Sequence, residues 1–128
     1  MGERVEQVYL MVADLERAVA FYRDALGLEL AERGERSAEF DTGACRLKLE
    51  RDFDEATLAG FGLEPPGEAR GEGVIVVLFV DDVDAVHERA VAAEAEILAG
   101  PRDVDWGRRL FLVRDPDGDG LEVSRPTG

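Results

Sequence analysis

The chain has 128 residues, a net charge of −14 and a single cysteine. This length is enough for one domain with its own core, without a disulfide. The acidic charge makes nucleic acid a poor partner, because phosphate contacts need clustered basic side chains. No apolar run approaches the roughly 20 residues of a membrane-spanning helix. The lone cysteine and the absence of a signal-peptide pattern favour a cytoplasmic protein.

The first part of the chain predicts a strand, a helix and three further strands. The strand-like runs are rich in β-branched and aromatic residues. The helix begins after Asp14, whose side chain suits an N-cap, and ends before Gly27, the usual residue at a helix C-terminus. We therefore predict one helix between these two residues, and strands at 5–12, 28–32, 37–42 and 45–50.

Residues 51–73 have a different composition, rich in glycine and proline. Long connections of this kind are often linkers or binding loops. We interpret the segment as the link between two halves of the chain, with a helical turn at 54–59.

The second part repeats the pattern of the first. An apolar strand precedes Asp82, which is expected to cap the next helix. The dipeptide at 100–101, Gly-Pro, is expected to turn the chain, and residues 115–120 to form a tight turn, since position twelve of a calcium loop would be Pro126. The predicted strands are 74–80, 96–99, 109–113 and 121–124.

A shift of 68 residues places Val12 on Val80 and Asp14 on Asp82, so the order β-α-β-β-β is written twice. Internal repeats of this kind predict the architecture directly. We predict an α+β fold of two βαβββ modules in a pseudo-twofold arrangement, with a curved mixed sheet around a cleft. The whole chain, 1–128, is expected to be a single domain, with module one at 4–50, the link at 51–73 and module two at 74–125.

Four segments carry a resemblance to a known family: VADLERAVAFYRDALGLEL, FVDDVDAVHERA, ILAGP and WGRRLFLVRDPDGDGLEV. They resemble the vicinal-oxygen-chelate superfamily, which contains glyoxalase I, bleomycin-resistance proteins and extradiol dioxygenases. The resemblance spans Val5 to Arg125. It implies paired modules around a cavity and a homodimer, but no particular activity, because the scaffold hosts isomerases, lyases, dioxygenases and plain binders.

The resemblance also implies where a metal would be held, on the first and last strands of each module. Those positions are Gln7, Lys48, Ile75 and Glu122 in this chain. Ile75 has no donor atom, and the Lys48 ammonium repels a cation. We therefore expect no metal cofactor. If a divalent ion is bound, the expected oxygen ligands are Gln7, Glu50 and Glu122, with Glu39 as a substitute.

Strand alternation predicts a mainly apolar pocket with a few polar groups, which is typical of small-molecule sites. The candidate ligand-binding residues are Gln7, Tyr9, Lys48, Glu50, Ile75, Phe79, Trp106, Phe111 and Glu122. The first hypothesis is a metal-free binding protein, similar to bleomycin-resistance proteins, that sequesters an aromatic or cationic molecule in the cleft between the modules. The alternative is a glyoxalase- or dioxygenase-like enzyme that uses a divalent metal on a vicinal-oxygen substrate, so whether the chain is an enzyme stays open.

Structural roles compete with these functional ones. The candidate pocket residues are also compatible with a packed core between the modules, and Lys48 and Glu122 are expected by default to form an ion pair across the pseudo-axis. His87 is expected on the solvated face of its helix, and Cys45 to be a buried structural thiol.

Overall fold

The structure is a computed structural model that describes residues 5–68, 70–71 and 73–128. The predicted start of module one at residue 4, and positions 69 and 72 of the predicted link, lie outside these residues. The described part contains eight strands and three α-helices. In chain order they are β1 (Gln7–Val12), α1 (Leu15–Ala20), β2 (Glu29–Arg33), β3 (Ser37–Asp41), β4 (Arg46–Arg51), α2 (Glu55–Gly60), β5 (Ile75–Phe79), α3 (Val83–Ala92), β6 (Glu96–Val104), β7 (Arg108–Arg114) and β8 (Gly120–Pro126).

The strands form two four-stranded sheets of the same topology. The N-terminal sheet has the order β1-β4-β3-β2, and the C-terminal sheet has the order β5-β8-β7-β6. In each sheet the first and last strands of the half are parallel neighbours, which places Tyr9 beside Lys48 and Val77 beside Glu122. The repeated βαβββ order and the α+β class predicted from the sequence are confirmed, and both sheets are open.

Both predicted helix caps are present. The Asp14 carboxylate accepts a hydrogen bond from the backbone N–H of Arg17 at 3.1 Å, and the Asp82 carboxylate accepts one from Ala85 at 3.0 Å. The first helix has a feature that the periodicity did not predict, because α1 continues into a π-helical turn at Phe21–Ala25. The helical segment then ends before Gly27, whose φ of +77° is readily adopted only by glycine.

The prediction of a turn at residues 100–101 is wrong. Strand β6 continues from Glu96 to Val104 and passes through Pro101. This is possible because β6 lies at the edge of its sheet and its pairing with β7 shifts register between Ala99 and Arg102. A proline, which has no N–H to donate, is tolerated at such an irregular edge position.

A single apolar core joins the two halves. Helix α1 packs on the N-terminal sheet, α3 packs on the C-terminal sheet, and α3 also contacts the π-helical turn. The fully buried Tyr22, Phe40 and Phe111 belong to this core. The halves therefore meet through their helical sides, and the opposite face of each sheet is left open. No helix in the described part of the chain is long and apolar enough to cross a membrane.

Candidate ligand-binding site

The candidate site lies on the sheet faces that point away from the helices. Strand alternation places Val8, Leu10 and Val12 of β1 toward the core. Their neighbours Tyr9 and Met11 point to the opposite side. We call the side-chain set Gln7, Tyr9, Met11, Glu39, Lys48 and Glu50 the N-terminal open face, and the set Ile75, Val77, Phe79, Leu112, Glu122 and Ser124 the C-terminal open face.

The N-terminal open face is mainly polar, and its groups are paired with one another. Gln7 Nε2 donates a hydrogen bond to Glu39 Oε1 at 3.0 Å. Arg46 Nη1 lies 3.6 Å from the same carboxylate oxygen. The Gln7 side chain is thereby held toward β3, with its amide as donor.

Tyr9, Lys48 and Glu50 form a compact cluster on this face. Lys48 Nζ lies 3.4 Å from Glu50 Oε1 and 5.1 Å from the centre of the Tyr9 ring, a distance at which a cation is attracted by the ring face. Burial, followed by a hydrogen bond to Glu50, raises the pKa of Tyr9 to about 12, so its phenol is protonated at neutral pH. The Tyr9 ring also stacks on Phe53, with centroids 6.5 Å apart.

The C-terminal open face combines an apolar strip with a polar cluster. Ile75, Val77 and Phe79 of β5 are 64%, 54% and 65% exposed. Beside them, Ser124 Oγ donates to Glu122 Oε2 at 2.8 Å. Arg108 Nε donates to Ser124 Oγ at 3.0 Å and lies 3.6 Å from Glu122 Oε2, which gives this carboxylate a cationic partner.

The predicted residues therefore fall into two separate groups. Gln7, Tyr9, Lys48 and Glu50 share one face; Ile75, Phe79 and Glu122 share the other. Among the ion pairs of the described residues, Lys48 pairs with Glu50 and Glu122 pairs with Arg108, so the ion pair considered between Lys48 and Glu122 is not formed within the chain. The alternative of a packed core is wrong for Ile75 and Phe79 of β5, which are exposed. One chain by itself does not enclose the expected cleft.

Phe111 was expected to contact a ligand, and the structure contradicts this. Its side chain is fully buried, and its partner across the sheet is Val123, which also faces the core. The ring meets His87 edge-on at 5.2 Å, so this histidine is partly buried against the core instead of solvated. The physical reason is strand parity, since the neighbours Leu110 and Leu112 take the other side of β7.

Two further expectations concern residues in turns. Trp106 lies in the turn between β6 and β7 and is 68% exposed. The role of its ring in stacking on a ligand stays a prediction. Cys45 precedes β4 and is partly exposed, with Sγ 3.6 Å from the Arg46 carbonyl oxygen, so it is not the buried thiol expected from alternation.

Sequence reasoning did not place Phe53 or Arg108 on these faces. Phe53 lies just beyond β4, in the segment interpreted as the link between the halves, where we expected its ring to fold partly over an apolar surface. Strand β7 was predicted to start at residue 109, but it starts at Arg108. The prediction therefore did not include Arg108 on the strand side that carries Leu110 and Leu112. Assigning β7 one residue earlier would have placed Arg108 beside the Glu122 strand.

Comparison with known proteins identifies the family. The model of the Glyoxalase/Bleomycin resistance protein/Dioxygenase superfamily matches residues 4–123. The chain belongs to this superfamily. The protein YraH of Bacillus subtilis is 32% identical over 127 residues, which cover 91% of this chain and 94% of YraH. FosB of Shouchella clausii, named a metallothiol transferase, is 27% identical over 99% of this chain and 83% of its own length.

Comparison with solved structures agrees with the fold. A protein of unknown function from Agrobacterium tumefaciens superposes with a TM-score of 0.80 and 28% identity, over 97% of this chain and 94% of that chain. Such a likeness supports the two-sheet architecture described above. It does not by itself assign an activity.

The residues at the metal positions implied by the superfamily resemblance do not fit a metal. Ile75 offers only hydrocarbon, and the Lys48 ammonium is engaged with Glu50 and the Tyr9 ring. Gln7 uses its amide nitrogen as a donor to Glu39. Among the described residues, no group of three or more His, Cys, Asp or Glu side chains is arranged to hold a metal ion.

Proposed function

We propose that this chain is a metal-independent binding protein of the superfamily, which sequesters an aromatic or cationic small molecule between the open faces of two copies. The observation that carries the proposal is the exposed strip of Ile75, Val77 and Phe79 beside the Glu122 carboxylate. Contiguous apolar side chains on a protein surface commonly mark a binding site or an interface.

The strip needs a further wall before it can enclose a ligand. A cavity of about 270 Å³ lies next to it, bounded in part by Ile75, Leu98 and Leu112. Sites for drug-sized molecules usually measure about 300–1,000 Å³ and enclose most of the ligand. The cavity is below this range and open on one side, so a second surface is required.

A second copy of the chain supplies that surface in the proposed arrangement. The helices of the two halves pack on each other, which prevents the open faces of one chain from meeting. Within the described residues, strands β1 and β5 each pair with a single strand, so each leaves an edge free for association. In a homodimer, the N-terminal open face of one copy can cover the C-terminal open face of the other.

The chemistry of the two faces suits an aromatic or cationic ligand. Tyr9 and Phe79 offer ring faces for stacking, and aromatic faces also attract cations. Glu122 offers a partly buried carboxylate for a positive group, in competition with Arg108. The net charge of −14 raises the local concentration of cations around the protein.

The metal-dependent enzyme remains the second candidate because relatives such as FosB carry the name metallothiol transferase. The donor set at Gln7, Lys48, Ile75 and Glu122 argues against it for this chain. The predicted cytoplasmic location stays a prediction.

Calorimetric titration tests the proposal. The probes are bleomycin, a basic glycopeptide, and acriflavine, a planar aromatic cation, each with and without EDTA. We expect saturable binding of at least one probe, unchanged by EDTA and weakened about fivefold in Phe79→Ala, since one stacked ring contributes roughly 1 kcal/mol. Val91→Ala, which truncates an exposed residue on α3, is the control and should bind normally. No binding, or binding that requires added Zn²⁺ or Mn²⁺, contradicts the proposal, and the latter favours the enzyme.

A further inference from the structure

The polar cluster on the C-terminal open face already contains a cation that belongs to the chain itself. Arg108 Nε donates a hydrogen bond to Ser124 Oγ at 3.0 Å and lies 3.6 Å from Glu122 Oε2. Ser124 Oγ in turn donates to the same Glu122 oxygen at 2.8 Å. The hydroxyl thus acts as acceptor and donor at once, and Arg108 supplies the positive partner of the carboxylate.

The cluster is partly shielded from water. Ser124 is fully buried, and the side chains of Arg108 and Glu122 are 28% and 18% exposed. A carboxylate in such a place depends on a cationic partner, because water solvates it only in part. Among the hydrogen bonds of the described residues, Glu122 Oε1 accepts none, so one acceptor atom of the carboxylate is available to a ligand.

The cluster adjoins the apolar strip of β5. In the parallel pairing of β5 with β8, Val77 lies beside Glu122 and Phe79 beside Ser124. Neighbouring strands are about 4.8 Å apart, so the strip and the carboxylate are within reach of one small molecule. An aromatic ligand that lies on the strip therefore brings its substituents to the place that Arg108 holds.

The group that Arg108 presents indicates which chemistry the cluster accepts. A guanidinium is planar, carries several N–H donors and keeps its charge at neutral pH. A ligand that replaces it has to donate hydrogen bonds to Ser124 Oγ and to Glu122, because acceptors that are desolvated without a partner cost free energy. A quaternary ammonium has no N–H and a neutral amide has no charge, so each satisfies only part of the cluster.

We propose that Arg108 is an internal competitor for the Glu122 carboxylate, and that the ligand displaces it with an amidinium or guanidinium group carried on an aromatic ring. This assignment rests on the proposed binding function and narrows its ligand to one class of cation. Exchange of one planar cation for another keeps the carboxylate paired throughout. Arg108 is then a specificity-determining residue, because it lowers the affinity for cationic ligands and leaves the affinity for neutral rings unchanged.

Calorimetric titration with three small probes tests the assignment. Benzamidine is an aromatic amidinium, benzamide is its neutral isostere, and phenyltrimethylammonium is an aromatic cation without N–H groups. For the wild type we expect benzamidine to bind about tenfold more tightly than either of the others, because only benzamidine makes charge-assisted hydrogen bonds. Arg108→Gln should tighten benzamidine binding by about threefold to tenfold and leave benzamide binding unchanged.

Two further variants separate the contact from a general change in charge. Arg125→Gln is the matched control, because it removes the same charge from β8 on the strand side that carries Leu121 and Val123. It should bind all three probes as the wild type does. Glu122→Gln should abolish the preference for benzamidine over benzamide.

The Arg108 Nε–H signal in ¹⁵N NMR spectra of the wild type reports the displacement directly, even if a variant folds poorly. Saturating benzamidine should shift this signal and speed its exchange with water. An unchanged signal at saturation, equal tightening in Arg125→Gln, or phenyltrimethylammonium binding as tight as that of benzamidine overturns the assignment.

Binding of bleomycin or acriflavine separates the two proposals. If either of them binds but benzamidine binds neither the wild type nor Arg108→Gln, the assignment of the ligand's cation is wrong and the proposed function stands. If none of the probes binds, both proposals fail.

Discussion

At the scale of single residues, the environment of a side chain decides its role more than its type does. Tyr9 and Tyr22 both hydrogen-bond to a carboxylate. Tyr9 is on an open face, where its ring meets Lys48. Tyr22 is fully buried, and its hydroxyl satisfies Asp115 in the seam between the halves. The same residue type thus offers a ligand contact in one place and a structural bond in the other.

The Tyr22→Phe variant should lose about 1–3 kcal/mol of unfolding free energy, since it removes a hydrogen-bond donor from a buried carboxylate. Tyr9→Phe is the matched control and should lose well under about 1 kcal/mol, because solvent can replace its hydroxyl. Urea denaturation at pH 7 measures both. Equal losses of unfolding free energy in the two variants would show that the buried Tyr22–Asp115 hydrogen bond stabilises the fold no more than the exposed one does.

At the scale of elements, close approach between segments explains features that local patterns do not. The link crosses the 115–119 turn at Gly71, where no side chain fits. Strand β6 runs through Pro101 because its register with β7 is irregular there. Both features depend on a partner segment distant in the chain.

We expect Gly71→Ala to destabilise the fold by about 1–3 kcal/mol more than Gly73→Ala. Both glycines have positive φ values, 76° and 82°, so the backbone strain of an alanine is similar. Only the Gly71 Cβ would collide with the Asp119 backbone, whereas the Gly73 Cβ has nothing within 4 Å. Thermal unfolding of the two variants gives the comparison, and a smaller loss for Gly71→Ala would mean that the link does not pack on the turn.

At the scale of the whole molecule, the two sheets turn their open faces outward, and the proposed homodimer covers them. The apolar strip of Ile75, Val77 and Phe79 is then the part of the surface most sensitive to added charge. Burying this apolar surface in a dimer favours association by about 25 cal/mol per Å².

Light scattering coupled to size exclusion should show a dimer for the wild type and a shift toward monomer for Val77→Glu. Val91→Glu introduces the same charge at a position of similar exposure, 51% against 54%, but on α3. It should remain a dimer. A monomeric wild type, or equal dissociation of both variants, contradicts the dimer through the open faces.

The sequence by itself determined the double βαβββ order, the caps at Asp14 and Asp82, and the superfamily. These follow from contacts within a few residues and from a repeat that is written in the chain. It also predicted which β1 and β5 residues share a face, because alternation is a property of one strand. Only the tertiary structure decided which side of β7 faces the core, and with it the burial of Phe111, that Arg108 meets Glu122, and that the halves join through their helices and the 115–119 turn. These depend on packing between segments that lie far apart in the chain, which no local pattern encodes.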